Sequence, residues 1–176
     1  MSEGSPPEAP PQANPLGGLP VRALLGYYLF GYTLCVLTLA SHQIPPLALV
    51  VNSVLKAVLL ALIVAVAWGF LWVYLGSLAL RGRITFRDSQ TLTGSALLLP
   101  GIIGTVVAVP LAFLAPVKLL QYAAGAFALA GFITVGVSAA RANRFGALRD
   151  LLFLLWFPFL AIALVILAAV VFARAA

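Results

Sequence analysis

Long apolar runs constrain this chain more than any other feature; those from Ala23 to Ala40, Leu119 to Ala140 and Leu151 to Phe172 hold no charged side chain at all. A helix needs about 20 apolar residues to cross a hydrocarbon core of about 30 Å. Transmembrane β-strands instead alternate apolar and polar residues over about ten positions. The runs are unbroken, so the segments read as helices. Charged residues make up 8% of the chain and hydrophobic ones 64%, against about 25% and about half in water-soluble domains. The expected class is all-α, a polytopic helical bundle integral to a membrane. At about 20 residues per span, 176 residues leave room for about four to six crossings and no separate soluble catalytic domain.

Punctuation between the runs divides the chain into two parts. Residues 1–20 carry half of the twelve prolines and both glutamates, Glu3 and Glu8. Such a segment has too little apolar surface to offset its ordering entropy, so a disordered tail is expected there. It shows neither the basic start nor the small-residue cleavage site of a signal peptide, which makes the first span an expected uncleaved anchor. Residues 21–176 then form a membrane domain with five spans at about 23–40, 57–80, 92–115, 119–140 and 151–172. The second run, Leu47 to Leu80, is 34 residues long; as one helix it would measure about 51 Å. Lys56 would cost about 2.5–3.5 kcal/mol at the bilayer centre, so the expected register starts the span just after it and leaves Asn52 and Ser53 among or beyond the head groups. Pro100 and Pro110, with Gly101 beside the first, predict a kinked or broken third helix, and Pro158 a kinked fifth.

An odd number of spans puts Arg22, Arg81, Arg83, Arg87, Arg141, Arg144 and Arg149 on one side and Lys56, Lys118 and Arg174 on the other. The arginine-rich side is the cytoplasmic one by the positive-inside rule, with the N-terminus inside and the C-terminus outside. Tyr27, Tyr28 and Phe86 would mark the inner interface and Tyr122 the outer one. Eight arginines against two lysines, with abundant Ala, Leu and Gly, point to a GC-rich prokaryotic genome, and hence to a bacterial inner (plasma) membrane.

Catalytic chemistry needs several ionisable groups facing one cavity. The four carboxylates, Glu3, Glu8, Asp88 and Asp150, lie in the tail or in loops. His42 stands alone in a loop, and Cys35 has no second cysteine and reads as a small buried thiol. No phosphate-cradling glycine loop is present. The expectation is a protein that is not an enzyme, with no catalytic residue, metal or cofactor. Asn52, Ser53 and Lys56 share a helix face at spacings of three and four, which leaves a polar site and a snorkelling lysine both open. Small residues should supply the packing faces, since helices associate in lipid through close backbone approach; Gly69 with Gly76, Gly125 with Ala128 and Phe132, and Gly131 with Val135 are the candidates. The loops holding Arg81, Arg83, Arg87 and Arg141, Arg144, Arg149 would gain about 1 kcal/mol per arginine at an anionic leaflet. An acidic membrane or cytosolic protein is the other candidate partner. Nucleic acid is not expected, because two short loops make no continuous surface on the scale of a duplex.

Gly82-Arg83-Ile84-Thr85-Phe86 entering the third span, Ser95-Ala96-Leu97-Leu98-Leu99-Pro100 within it, and Gly131 to Arg144 leaving the fourth resemble the Yip family of small five-span membrane proteins, named for interaction with Ypt/Rab GTPases. The likeness covers about residues 14–172. It implies a five-helix bundle of the bacterial branch that organises membrane or scaffolds partners. The chain lacks the Asp-Leu-x-Gly-Pro element and the long cytosolic domain of the eukaryotic members, so Rab binding and functional residues are not carried over. The alternative function is a small transporter or permease subunit working through the Pro100 break and the polar face near Lys56.

Overall fold

The structure, a computed structural model, describes residues 19–42, 45–156 and 158–159. Among these it is helical, with α1 at Val21–Ala40, α2 at Pro46–Ala79, α3 at Phe86–Leu114 and α4 at Val117–Asn143. All four are long and apolar enough to cross a membrane. A further helix, α5, occupies 147–156. Pro158 is itself helical; residue 157, the rest of the fifth expected span from residue 160, and the tail up to residue 18 fall outside the described residues.

Helix α1 is the axis of the bundle. More than half of it is buried, against about a third or less of the other three, and its contacts explain why so apolar a sequence keeps so many small residues. A methyl group at Gly26 would collide with the backbone carbonyl of Gly94 in α3, and one at Gly94 with the carbonyl of Ala23. Further along, a Cβ at Gly101 would lie 2.9 Å from Leu29 Cβ and 3.0 Å from Phe30 N. On the other side of α1, a Cβ at Gly31 would lie 2.9 Å from the carbonyl of Ala57 in α2. Hydrocarbon gives two apolar helices no solvophobic reason to associate, so dispersion across backbones in contact has to supply the attraction. Thr33 reinforces the α1–α3 seam, with its Oγ1 3.1 Å from Thr105 Oγ1.

Helix α3 runs through Pro100 and Pro110 without interruption, so the expected break is absent. Each proline removes one donor from the ladder; Gly101 is clamped against α1 and Gly104 faces Phe127 and Thr33, so neighbouring helices support α3 around Pro100.

The irregularity lies instead in α2, where Ala65–Tyr74 is a π-helix of ten residues. Such segments are rare and usually a single turn. This one surrounds Gly69, whose missing side chain leaves room for the Gln90 amide at 2.6–2.7 Å from the Cβ position. Gln90 Nε2 donates to the carbonyl of Ala65 at 3.2 Å. Trp156 Nε1 likewise donates to the Leu71 carbonyl at 3.3 Å. Side chains from neighbouring helices thus bond to carbonyls within the widened turns.

Aromatic rings fill the centre. Trp72 and Phe30 are fully buried. Trp72 stacks on Phe132 with centroids 4.3 Å apart, and Phe30 on Phe127 at 4.8 Å. Trp72 Nε1 donates to the Phe153 carbonyl at 3.0 Å, tying α2 to α5. Gly131 and Val135 are buried as the spacing predicts, and so are Gly69 and Gly76. Gly125 is exposed, with open space where a Cβ would be. The packed face of α4 is Leu120, Ala124, Phe127, Gly131 and Val135, rotated by one residue from the line through Gly125 and Ala128.

Candidate functional site

Two ends of the bundle are chemically distinct. At one, Ala40, Pro45 and Pro46 line a groove of about 540 Å³ together with Ala115 and Pro116, with His42 and Lys118 close by in sequence. At the other lie both arginine loops, and the side chain that joins them is Asn143, 5% exposed. Its Oδ1 accepts from Ser77 Oγ at 2.6 Å and from the backbone N–H of Arg83 at 3.1 Å, while Nδ2 donates to the Ala139 carbonyl at 3.0 Å. One amide at the end of α4 therefore fixes both the last turn of α2 and the start of the 81–85 loop. Gly82 is required here, because any side chain on it would strike Asn143 Oδ1 and Ser77 Oγ.

Local geometry explains how each arginine is presented. Helix α2 ends in a Schellman turn: Gly82 N–H donates to the Ser77 carbonyl at 2.7 Å and Arg81 N–H to that of Leu78 at 3.1 Å. The left-handed position of that turn is normally glycine; here it is Arg81, with φ 56°. Arg144 leaves α4 in the same way, with φ 53°. They are the two described non-glycine residues with positive φ, and no described glycine has one. The 81–85 loop closes on Thr85, which caps α3: its Oγ1 accepts from Asp88 N–H at 3.2 Å and donates to Asp88 Oδ2 at 2.6 Å. Ile84 and Phe145 pack against the aromatic core. Arg81, Arg83, Arg87, Arg141, Arg144 and Arg149 are all exposed.

The structure divides the polar face expected on α2. Ser53 is buried on the line Leu49–Ser53–Ala57, Asn52 Nδ2 turns back to the Ala48 carbonyl at 2.8 Å, and Lys56 is exposed. The segment before Lys56 does not project beyond the bundle either. Leu49 shares a cluster with Val36, Leu37 and Ala40, and Ala57 meets Gly31, near the middle of the 20-residue α1. Lys56 thus sits level with the centre of α1, a helix about 30 Å long, enough to span the hydrocarbon. An ammonium on the lipid-facing side at that depth costs about 2.5 kcal/mol on the insertion scale. Lys56→Leu is expected to make membrane insertion of the second span more favourable by about that amount, as read in a translocon insertion assay; an unchanged value would place Lys56 at a head-group boundary.

Gln90, Asn143 and Trp72 had not been expected to matter. Tyr27, expected at the inner interface, is 3% exposed and donates to the Gln90 carbonyl at 3.1 Å and to Gln90 Oε1 at 3.0 Å. Tyr122 is 74% exposed. Among the described residues no group of three His, Cys, Asp or Glu side chains could hold a metal ion. The chain matches no family model, no curated protein and no solved structure.

Proposed function

We propose that this is a non-catalytic, five-span inner-membrane protein of Yip type that presents one basic cytosolic face to an acidic membrane surface or an acidic protein partner, and so organises membrane or scaffolds that partner. The observation that carries the reading is the joining of the two arginine loops by Asn143. Positive-inside topology alone would be met by arginines in any arrangement on the inner side; it does not call for the two loops to be fixed side by side. In this orientation the tail and both loops are cytoplasmic and the C-terminus is outside. The Yip likeness belongs to the same proposal, and two of its segments, Gly82 to Phe86 and Gly131 to Arg144, end at this junction.

Arg81 and Arg144 support the reading through energy. A left-handed backbone costs an ordinary residue about 1–2 kcal/mol that glycine avoids, while glycine forfeits about 0.5–1 kcal/mol of chain entropy. Each arginine therefore stands where glycine would fold at least as well, and its side chain is the remaining reason for it. Arg81→Gly with Arg144→Gly is expected to leave stability equal or up to about 1 kcal/mol per site higher while lowering affinity for phosphatidylglycerol vesicles about 30-fold, since each arginine contributes about 1 kcal/mol at an anionic surface. Thermal unfolding and vesicle flotation on the same sample give both numbers. Loss of stability with binding intact would remove the proposal. The alternative, a small transporter or permease subunit working through α3 at Pro100 and the polar face near Lys56, has less support, since Ser53 is buried, Asn52 Nδ2 bonds back to the Ala48 carbonyl and Lys56 is exposed.

A further inference from the structure

Helix α2 carries two apolar faces in its second half, and the backbone decides which of them meets the bundle. In the first half the buried positions are Leu49, Ser53, Ala57 and Val64; in the second they are Gly69, Trp72, Val73, Gly76 and Ser77. On a continuous α-helix, at about 100° per residue, these two sets would centre about 160° apart, on nearly opposite sides. Yet Val64, Trp72 and Val73 share one buried cluster with Tyr27 and Phe30 of α1. The π-helix at Ala65–Tyr74 reconciles the two halves, because each i→i+5 turn takes up about one residue more than an α turn and swings the following residues back. Without it, the line of Ala57 and Val64 would continue through Trp68, Leu71, Leu75 and Leu78. All four are large and apolar, so hydrophobicity gives the bundle no strong reason to prefer the face it has.

We infer that α2 is a two-register helix, whose second half turns between the present π register, which joins the arginine loops through Ser77 and Asn143, and an all-α register that parts them. Polar contacts make the choice that hydrophobicity leaves open. Gln90 Nε2 and Trp156 Nε1 donate to the carbonyls of Ala65 and Leu71 inside the widened turns. In the all-α register those carbonyls would accept from the N–H of Gly69 and Leu75, four residues on. Trp72 Nε1 would turn away from the Phe153 carbonyl and Ser77 Oγ from Asn143 Oδ1, the bonds that fasten this half of α2 to α5 and α4. An acidic partner that needs both loops together binds the π register alone. It therefore shifts the equilibrium towards that register by the same factor by which the register raises its affinity. For this coupling the inference rests on the proposed docking face; the two registers do not depend on it.

Spin labels at Leu78 and Ile133, 63% and 51% exposed, report which face α2 turns towards α4 in the full-length protein, with Cys35→Ala to leave only these two sites for labelling. The parent in phosphatidylcholine nanodiscs should give one dominant distance. Trp156→Phe keeps a ring and loses the donor, and Gln90→Leu keeps the bulk and loses the amide. Each should move the ratio about fivefold towards the all-α register, the effect of one net hydrogen bond, and the two together about thirtyfold. A second peak should then grow, displaced by up to about 10 Å, the width of a helix with its side chains. Phosphatidylglycerol vesicles added to the double variant should restore the first peak. Should the double variant not fold, Trp156→Phe, the milder change, decides the matter alone. A single unchanged distance in these variants would overturn the inference and make the π-helix a fixed part of the fold. A second peak that the vesicles leave in place would uphold the two registers and count against the docking face.

Discussion

Gly94→Val should cost on the order of 4 kcal/mol, at the extreme of single-residue effects, with Gly26→Val close behind and the double variant little worse than either. Overpacking usually costs about 1–3 kcal/mol because flexible side chains can move aside. Here the obstacles are backbone. A Cβ on Gly94 meets the carbonyl of Ala23, and one on Gly26 meets the carbonyl and the peptide carbon of Gly94. Neither helix can yield without widening the whole α1–α3 seam, which would also separate Thr33 from Thr105 and Gly101 from Leu29 and Phe30. Since both substitutions open one interface, their costs share the same lost contacts and should not add. Gly125→Val is the control, because a Cβ there meets nothing within 4 Å. Reversible unfolding in bicelles measures all four variants. A Gly94→Val protein within about 1 kcal/mol of the parent would show that the helices are not in backbone contact.

The class of this fold could be read from the sequence because hydrocarbon permits few solutions. Runs such as Ala23–Ala40 satisfy their own backbone polar groups only as helices, and α1 follows that run closely. The faces were partly legible. Gly131 with Val135 follows the helical repeat, but on α4 small residues occur all around the helix, so Gly125 looked as suitable as Gly131 and only a partner ring, Phe30, distinguishes them. The π-helix left no local signal, for Ala65–Tyr74 has the composition of any apolar helix. Its causes are Gln90 and Trp156, which lie 25 and 85 residues from the carbonyls they reach. Pro100 and Pro110 are strong breakers locally, yet α3 stays helical through both, packed at Gly101 on α1 and at Gly104 on Phe127. The register expected for Lys56 came from its own energy alone, whereas its level in the bundle is set by the contact of Gly31 with Ala57.

Asn143 was equally hard to foresee in the candidate site, since an asparagine beside arginines in a helix-ending segment reads as an ordinary polar cap. Its burial changes what its loss should do. Asn143→Leu keeps the bulk but leaves Ser77 Oγ and the Arg83 N–H without their acceptor, and a buried polar group stranded in this way costs about 1–3 kcal/mol. Two of them give an expected destabilisation of about 4 kcal/mol, concentrated at one end of the bundle. Because Gly82 is packed onto the same oxygen, the 81–85 loop should come away from α4 before the rest unfolds. Spin labels at Arg83 and Arg141 would then show a longer and broader distance distribution in Asn143→Leu than in the parent. Asn143→Asp, which keeps the acceptor, should hold the loop to Arg83 N–H and Ser77 Oγ but burden the site with a carboxylate. Affinity for anionic vesicles should fall with loop separation in the leucine variant although every arginine remains. If that affinity survives while the loops part, the arginines act independently, and their joining through Asn143 serves the fold of α2 and α4 rather than a docking face.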